Sequence, residues 1–184
     1  MAGLLVMAEH LVLRPIRPED IPAVLALQAQ AYASAYHEEA SAFLSRLSHG
    51  VGLPTLALNS AGELAAYLFA HPWCGETIPP LGQPLLPAGE ADQLFLHDLS
   101  VAPAWRGLGA GACLLSAVLA KGAALGFSRL RLVAVAGAEN YWSRLGLEPV
   151  GRAGEGYGAG ARLMAGDVPD IRRILLEKSG GYPL

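Results

Sequence analysis

The chain has 184 residues, a length that suits a single domain with a sizeable buried core. Hydrophobic residues make up 53% of it and charged residues 16%, against about 25% charged in a usual soluble domain, so apolar surface is available to line a crevice or the interface of a homodimer. Thirteen basic and sixteen acidic residues leave a formal charge of -3 with no block of like charge, which argues against a nucleic-acid partner.

The opening MAGLLVMAEH holds only a short apolar run with no basic residue ahead of it, so it has the make-up of neither a signal peptide nor a membrane span. The expectation is a cytoplasmic protein with no membrane partner. A short strand then runs to Ile16. A helix begins near Pro18-Glu19-Asp20, where proline and acids suit a first turn, and Ile21, Val24, Leu25, Leu27 and Ala31 trace its apolar face. The run HEEASAFLSRLSHG predicts a second helix that stops at Gly50.

The period then changes to two. PTLALNSAGELAAYLFAHPW reads as a hairpin turning at Asn59-Ser60-Ala61-Gly62. CGETIPPLGQPLLPAGEA, with four prolines and three glycines, is a long irregular loop, and loops of that length are often functional. DQLFLHDLSVAP is the next strand, followed by a glycine segment and a helix to about Gly126. SRLRLVAVAG is another buried strand, AENYWSRLG a short helix, LEPVGR and ARLMAGD the final strands, and DVPDIRRILLEKSG a closing helix. One domain is expected across residues 1–184, with a core from about 11 to 166 and a C-terminal extension over 167–184. Cys74 and Cys113 lack metal-type spacing, as do His37, His49 and His71, so no metal is expected, and Cys113 reads as a buried thiol in a reducing compartment.

The glycine segment, AWRGLGAGACLL, carries the functional signal. Glycine costs conformational entropy, so three in five residues at a helix start suggest that the backbone approaches something closely. Gly107-Leu108-Gly109-Ala110-Gly111-Ala112 satisfies the letters of the dinucleotide fingerprint, but Pro103 interrupts the strand before it and no acid stands about 20 residues on. No Gly-Lys-Ser/Thr follows, so the segment is not a phosphate loop of that kind either. Tight helix packing is the plain structural reading. Arg106 favours an anion site instead: unpaired main-chain N–H groups, a helix dipole and a forked cation together suit a diphosphate.

Arg106-Gly107-Leu108-Gly109-Ala110-Gly111 resembles the R/Q-x-x-G-x-G/A signature of the GNAT acetyltransferases, and ENYWSRLGLEPVG resembles their second signature, N-x-x-(aromatic)-x-x-x-G-(F/L). The resemblance runs from about Leu11 to about Ala165. It implies an α/β (α+β) fold with a mixed, mostly antiparallel central sheet, splayed between its fourth and fifth strands and flanked by helices, here Leu94 to Val101 and Leu130 to Ala136, with acetyl-CoA as cosubstrate in the gap. By resemblance, Arg106, Gly107, Leu108, Gly109, Ala110, Gly111 and Ala112 hold the diphosphate, Leu99, Ser100 and Val101 follow the pantetheine, and Asn140 and Trp142 lie along it.

Within the family, LFLHDLSVAPAWRGLG, RPEDIPAVLALQAQAY and LAAYLFAHPW look most like the serotonin (arylalkylamine) N-acetyltransferase branch. Two histidines on this strand act as base or relay in that branch; the resemblance puts His97 on the second and Phe95 on the first. An amine must lose a proton before attacking a thioester, and an imidazole with an ordinary pKa of about 6.5 can accept it. The main-chain N–H of Leu99 is placed to stabilise the oxyanion. At the family's usual tyrosine position stands Trp142, which cannot act as an acid, and its neighbour Tyr141 is the substitute proton donor.

Asp98 follows His97 on a strand, so strict alternation turns it to the opposite face. Tyr36, Glu38, Glu39, Trp73 and Glu76 are candidates to receive a cationic amine. The function implied is acetyl transfer to a primary amine of a small molecule by direct attack; the alternatives are a peptide or protein amine, and a non-catalytic acyl-CoA-binding module.

Overall fold

The computed structural model describes residues 11–85, 90–135 and 137–179; the opening ten residues, loop residues 86–89, Ala136 and the last five residues, on which parts of the sequence reading fall, lie outside the described residues. Seven strands form one sheet: β1 (Val12–Pro15), β2 (Thr55–Leu58), β3 (Leu64–Trp73), β4 (Gln93–Val101), β5 (Arg129–Ala134), β6 (Glu148–Arg152) and β7 (Arg162–Asp167). Their order is β1-β2-β3-β4-β5-β7-β6, antiparallel throughout except for the parallel pair β4 and β5. This is the mixed, mostly antiparallel sheet that the family resemblance implies.

Helices cover both faces, which is why β3 is apolar along most of its length. On one face α1 (Ile21–Ala31) and α2 (Ala40–His49) set Val24, Leu27 and Phe43 against Tyr67 and Phe69. On the other, α3 (Ala110–Ala124) and α5 (Val168–Lys178) pack Leu114, Leu115, Leu119 and Ile171 against Leu68, Leu94, Leu96 and Leu132. A short α4 (Glu139–Ser143) joins β5 to β6. The entry to α1 is held by Arg14, whose guanidinium grips both oxygens of Asp20 at 2.7 Å. The residue at the end of α2 must be small: a Cβ on Gly50 would lie 2.5 Å from Cδ of Pro54.

Two irregularities in the sheet create the site. β4 and β5 pair only at Leu94↔Leu130, Phe95↔Arg131 and Leu96↔Leu132, although both strands continue. Beyond these pairs they part. At the same level the β3–β4 register steps from Ala70↔Leu96 to Phe69↔Asp98, leaving His97 as the extra residue of a β-bulge. Paired residues share a face, so Asp98 lies with Phe69 on the α1/α2 side, where the His97 ring also stands. Asp98 therefore does not turn to the opposite face as strict alternation predicts, because the bulge resets the pleat by one residue.

Candidate active site

Where β4 and β5 separate, a cleft of about 630 Å³ opens. Its spine is the main chain of β4. Ala102 N–H donates to the carbonyl of Ala65 at 2.8 Å, and neighbouring residues of a strand point their polar groups to opposite sides. Leu99 and Val101 therefore present their N–H groups away from β3, into the gap. The Val101 carbonyl accepts Nε–H of Arg106 at 3.2 Å, and the Leu99 carbonyl accepts the Tyr32 hydroxyl at 3.3 Å.

At one end of the cleft α3 begins. Gly107 and Gly109 have φ of +74° and +88°, left-handed conformations that glycine adopts without strain. Gly109 caps the helix, and the first bond of the helical ladder is Cys113 N–H to the Gly109 carbonyl at 2.9 Å. The N–H groups of Ala110, Gly111 and Ala112 consequently have no acceptor within the helix, and all three residues line the cleft. Gly111 faces the end of β4 so closely that a Cβ would come 3.3 Å from Cγ2 of Val101 and 4.0 Å from the Tyr141 hydroxyl. With Arg106 exposed beside them, these groups make a positive, main-chain-lined corner.

The opposite end is a buried polar network. Glu38 and His97 have side chains only 2% and 1% exposed, with Nε2 of His97 3.0 Å from Oε2 of Glu38. The other oxygen of Glu38 accepts Nη2 of the fully buried Arg46 at 2.6 Å and the N–H of Gly82 at 2.5 Å. Burial pushes the Glu38 carboxyl up, but His97, Arg46 and Gly82 together outweigh it and hold it down at about 2. Burial pushes the His97 imidazole down, helped by Arg46 and opposed by Glu38. An ionised Glu38 can only accept, so the neutral ring carries its proton on Nε2 and keeps its lone pair on Nδ1, a buried atom without a partner.

Beside this pair lies Asp98, whose carboxylate accepts the hydroxyls of Tyr32 at 2.8 Å, Tyr67 at 2.6 Å and Ser100 at 3.3 Å. Burial raises its pKa to about 6 against the pull of those hydroxyls. Three segments meet above: the Tyr157 hydroxyl donates to the Pro79 carbonyl at 2.7 Å, the Tyr36 hydroxyl lies 3.2 Å from where a Cβ on Gly158 would stand, and Gly82 caps Glu38. The long proline-rich loop thus closes this end of the cleft.

Leu99, Ser100, Val101, Arg106, Gly107, Gly109, Ala110, Gly111, Ala112, Tyr141 and Trp142 all line the cleft, as does His97, whereas Leu108 and the exposed Asn140 do not. Trp142 is 6% exposed and belongs to the core, and Tyr141 stands against it at 5.0 Å between ring centroids. Burial raises the Tyr141 phenol above its ordinary value, which keeps it protonated. Of the acceptor-side candidates, Tyr36 and Glu38 line the cleft, but Glu39, Trp73 and Glu76 do not. The sequence reading missed Tyr32, Tyr67, Arg46 and Tyr157. Tyr67 carried a signal, being a polar aromatic inside an otherwise apolar strand; the others carried none without the fold.

A sequence model of the acetyltransferase (GNAT) family matches residues 21–147. The chain belongs to that family of acetyltransferases. No curated protein matches it in sequence. Its fold is similar to the loading GNATL domain of CurA from Lyngbya majuscula, with a TM-score of 0.72, 12% identity, and 86% of this chain and 98% of that one covered. It is also similar to the GphF GNAT-like decarboxylase in complex with isobutyryl-CoA (0.67, 18%, 85% and 99%). A third likeness is to the ribosomal-protein-S18-alanine N-acetyltransferase from Escherichia coli (0.63, 18%, 86% and 94%). Among the described residues no helix is long and apolar enough to cross a membrane.

Proposed function

We propose that the protein transfers an acetyl group from acetyl-CoA to the primary amine of a small molecule. The observation that carries this reading is that one cleft joins a corner of unpaired main-chain N–H groups to a buried, unpartnered imidazole nitrogen. The corner formed by Gly107, Gly109 and the first turn of α3, with Arg106 beside it, fits a coenzyme's diphosphate. The N–H groups of Leu99 and Val101 then face the pantetheine arm, and that of Leu99 stabilises the oxyanion. The GphF structure contains isobutyryl-CoA, which supports a CoA thioester as the acyl donor here.

His97 takes the ammonium proton at Nδ1 through intervening water, since its ring lies beneath the cleft wall. The freed amine attacks the thioester carbonyl; as the C–S bond breaks, Tyr141, near Gly111, donates its proton to the leaving thiolate, and the second proton of the nitrogen returns through water to the tyrosinate. The acceptor end, roofed by Tyr36, Tyr157 and the proline-rich loop, favours a small amine over an extended peptide and fits the serotonin-acetyltransferase-like branch. The test is thiol release from acetyl-CoA with a panel of small amines and N-terminal peptides, for the wild type and His97→Ala. Small amines should be turned over, and His97→Ala should lose kcat/KM most at pH values where the amine is protonated. An unchanged pH profile removes His97 from the reaction, and no thiol release with any amine removes the transferase reading.

A further inference from the structure

Two carboxylates line the acceptor end of the cleft, and they are not equivalent. Glu38 is matched by Arg46. Asp98, only 7% exposed, has no cationic partner among the described residues and is held by three hydroxyls. A buried carboxylate without a counter-charge is costly, and hydroxyl donors lessen that cost without neutralising it. An ionised carboxylate offers about four acceptor positions, of which Oδ1 uses two and Oδ2 one. One acceptor position of the carboxylate is therefore not used by these hydroxyls, and Asp98 is among the residues that line the cleft. With Glu38 cancelled by Arg46 and His97 neutral, the floor of the cleft carries one unmatched negative charge, and it lies on the residue next to His97 and on the same face of the sheet.

We infer that Asp98 is the anchor for the substrate's ammonium group, so that the cleft selects primary amines with a single positive charge and no carboxylate beside the nitrogen. The inference rests on the acetyl-transfer reading of the same cleft. An ammonium held by Asp98 completes the missing ion pair and stands next to the imidazole that receives its proton. The walls that meet the remainder of the molecule are Tyr32, Tyr36, Tyr157 and Leu81, aromatic and apolar, with no cation to receive an acid. An α-amino acid brings its own carboxylate against Asp98 and Glu38, and the guanidinium of Arg46 beside them is fully buried and already pairs with Glu38 through Nη2.

The probes are 2-phenylethylamine, its neutral isostere 2-phenylethanol, and phenylalanine, each titrated calorimetrically into the wild type and Asp98→Asn saturated with CoA, alongside thiol release from acetyl-CoA. Wild type should bind the amine at least about tenfold more tightly than the alcohol or the amino acid, the scale of one charge-assisted hydrogen bond. In Asp98→Asn that preference should vanish and the amine KM rise about tenfold or more, with acetyl-CoA affinity unchanged. Equal binding of amine and alcohol by the wild type overturns the anchor, and this comparison needs no variant to fold. An unchanged amine KM in folded Asp98→Asn also overturns it while leaving the transferase reading intact. Absent thiol release together with a retained amine preference upholds the anchor and removes only the transferase reading.

Discussion

His97 Nε2 lies 3.0 Å from Oε2 of Glu38, and the same carboxylate receives Arg46 on its other oxygen. This arrangement fixes the imidazole tautomer and supplies the negative charge that opposes the downward pull of burial on its pKa. Glu38→Gln removes that charge and leaves Arg46 unmatched, so the affinity of His97 for a proton should fall further. In pH–rate profiles the acid limb of kcat/KM should move to lower pH and the plateau should drop by about one to two orders of magnitude, with acetyl-CoA affinity unchanged. A profile that keeps its shape contradicts the coupling.

Asp98 should trade stability for function. Its pKa is raised from an ordinary value near 3.8 to about 6 in the fold, so the native state binds the extra proton. The stabilising contribution of that proton is present below pH 3.8 and is lost as pH rises through 6. Relative to wild type, Asp98→Asn should gain stability on going from pH 4 to pH 7, by an amount on the order of 2 kcal/mol, most of the value of the full shift. Urea unfolding of both proteins at the two pH values reads this directly.

His71 works in the other direction. It is stacked on Phe95 at 5.9 Å with Nε2 buried and unpartnered, and burial takes its pKa down to about 3. The unfolded chain binds a proton from about pH 6.5 downward that the folded chain refuses, so the stability tied to a neutral ring is present above 6.5 and lost as pH falls towards 3. His71→Phe should keep the stack and flatten this dependence. Its melting temperature relative to wild type should be higher at pH 5 than at pH 7.5, and a constant offset between the two proteins contradicts the assignment.

Tyr141 stands over the start of α3 with a phenol that stays protonated. If it donates to the departing thiolate, Tyr141→Phe should slow kcat with acetyl-CoA by about tenfold or more. An acetyl donor whose thiol is more acidic should restore the rate. Equal slowing with both donors assigns Tyr141 to packing instead.

The elements were legible from the sequence because their signals are local: the Asn59–Gly62 turn, the stop at Gly50, the continuous apolar run of β3 and the glycines ahead of α3. The splay of β4 from β5 was legible only through the pair of family signatures, since nothing in LFLHDLSV shows where its pairing with β5 ends. The bulge at His97 was not legible, and one extra residue there changed which side chains share the cleft. Nothing in the helix sequence marks Arg46 as buried; its partner Glu38 stands 8 residues away and is itself held by Gly82 of the proline-rich loop, 36 residues from Arg46. The acceptor end is built by such distant contacts, whereas the coenzyme corner is built by one contiguous segment, and for that reason only the latter could be read from the chain.

The central claim is that the corner at the start of α3 holds a coenzyme's diphosphate with its thioester directed towards His97. The most direct test is a crystal structure with acetyl-CoA. The account predicts the diphosphate on the N–H groups of residues 107 to 112, the pantetheine beside Leu99 and Val101, and the acetyl group between His97 and Tyr141. A complex with that corner empty, or with the coenzyme bound elsewhere on the protein, contradicts it.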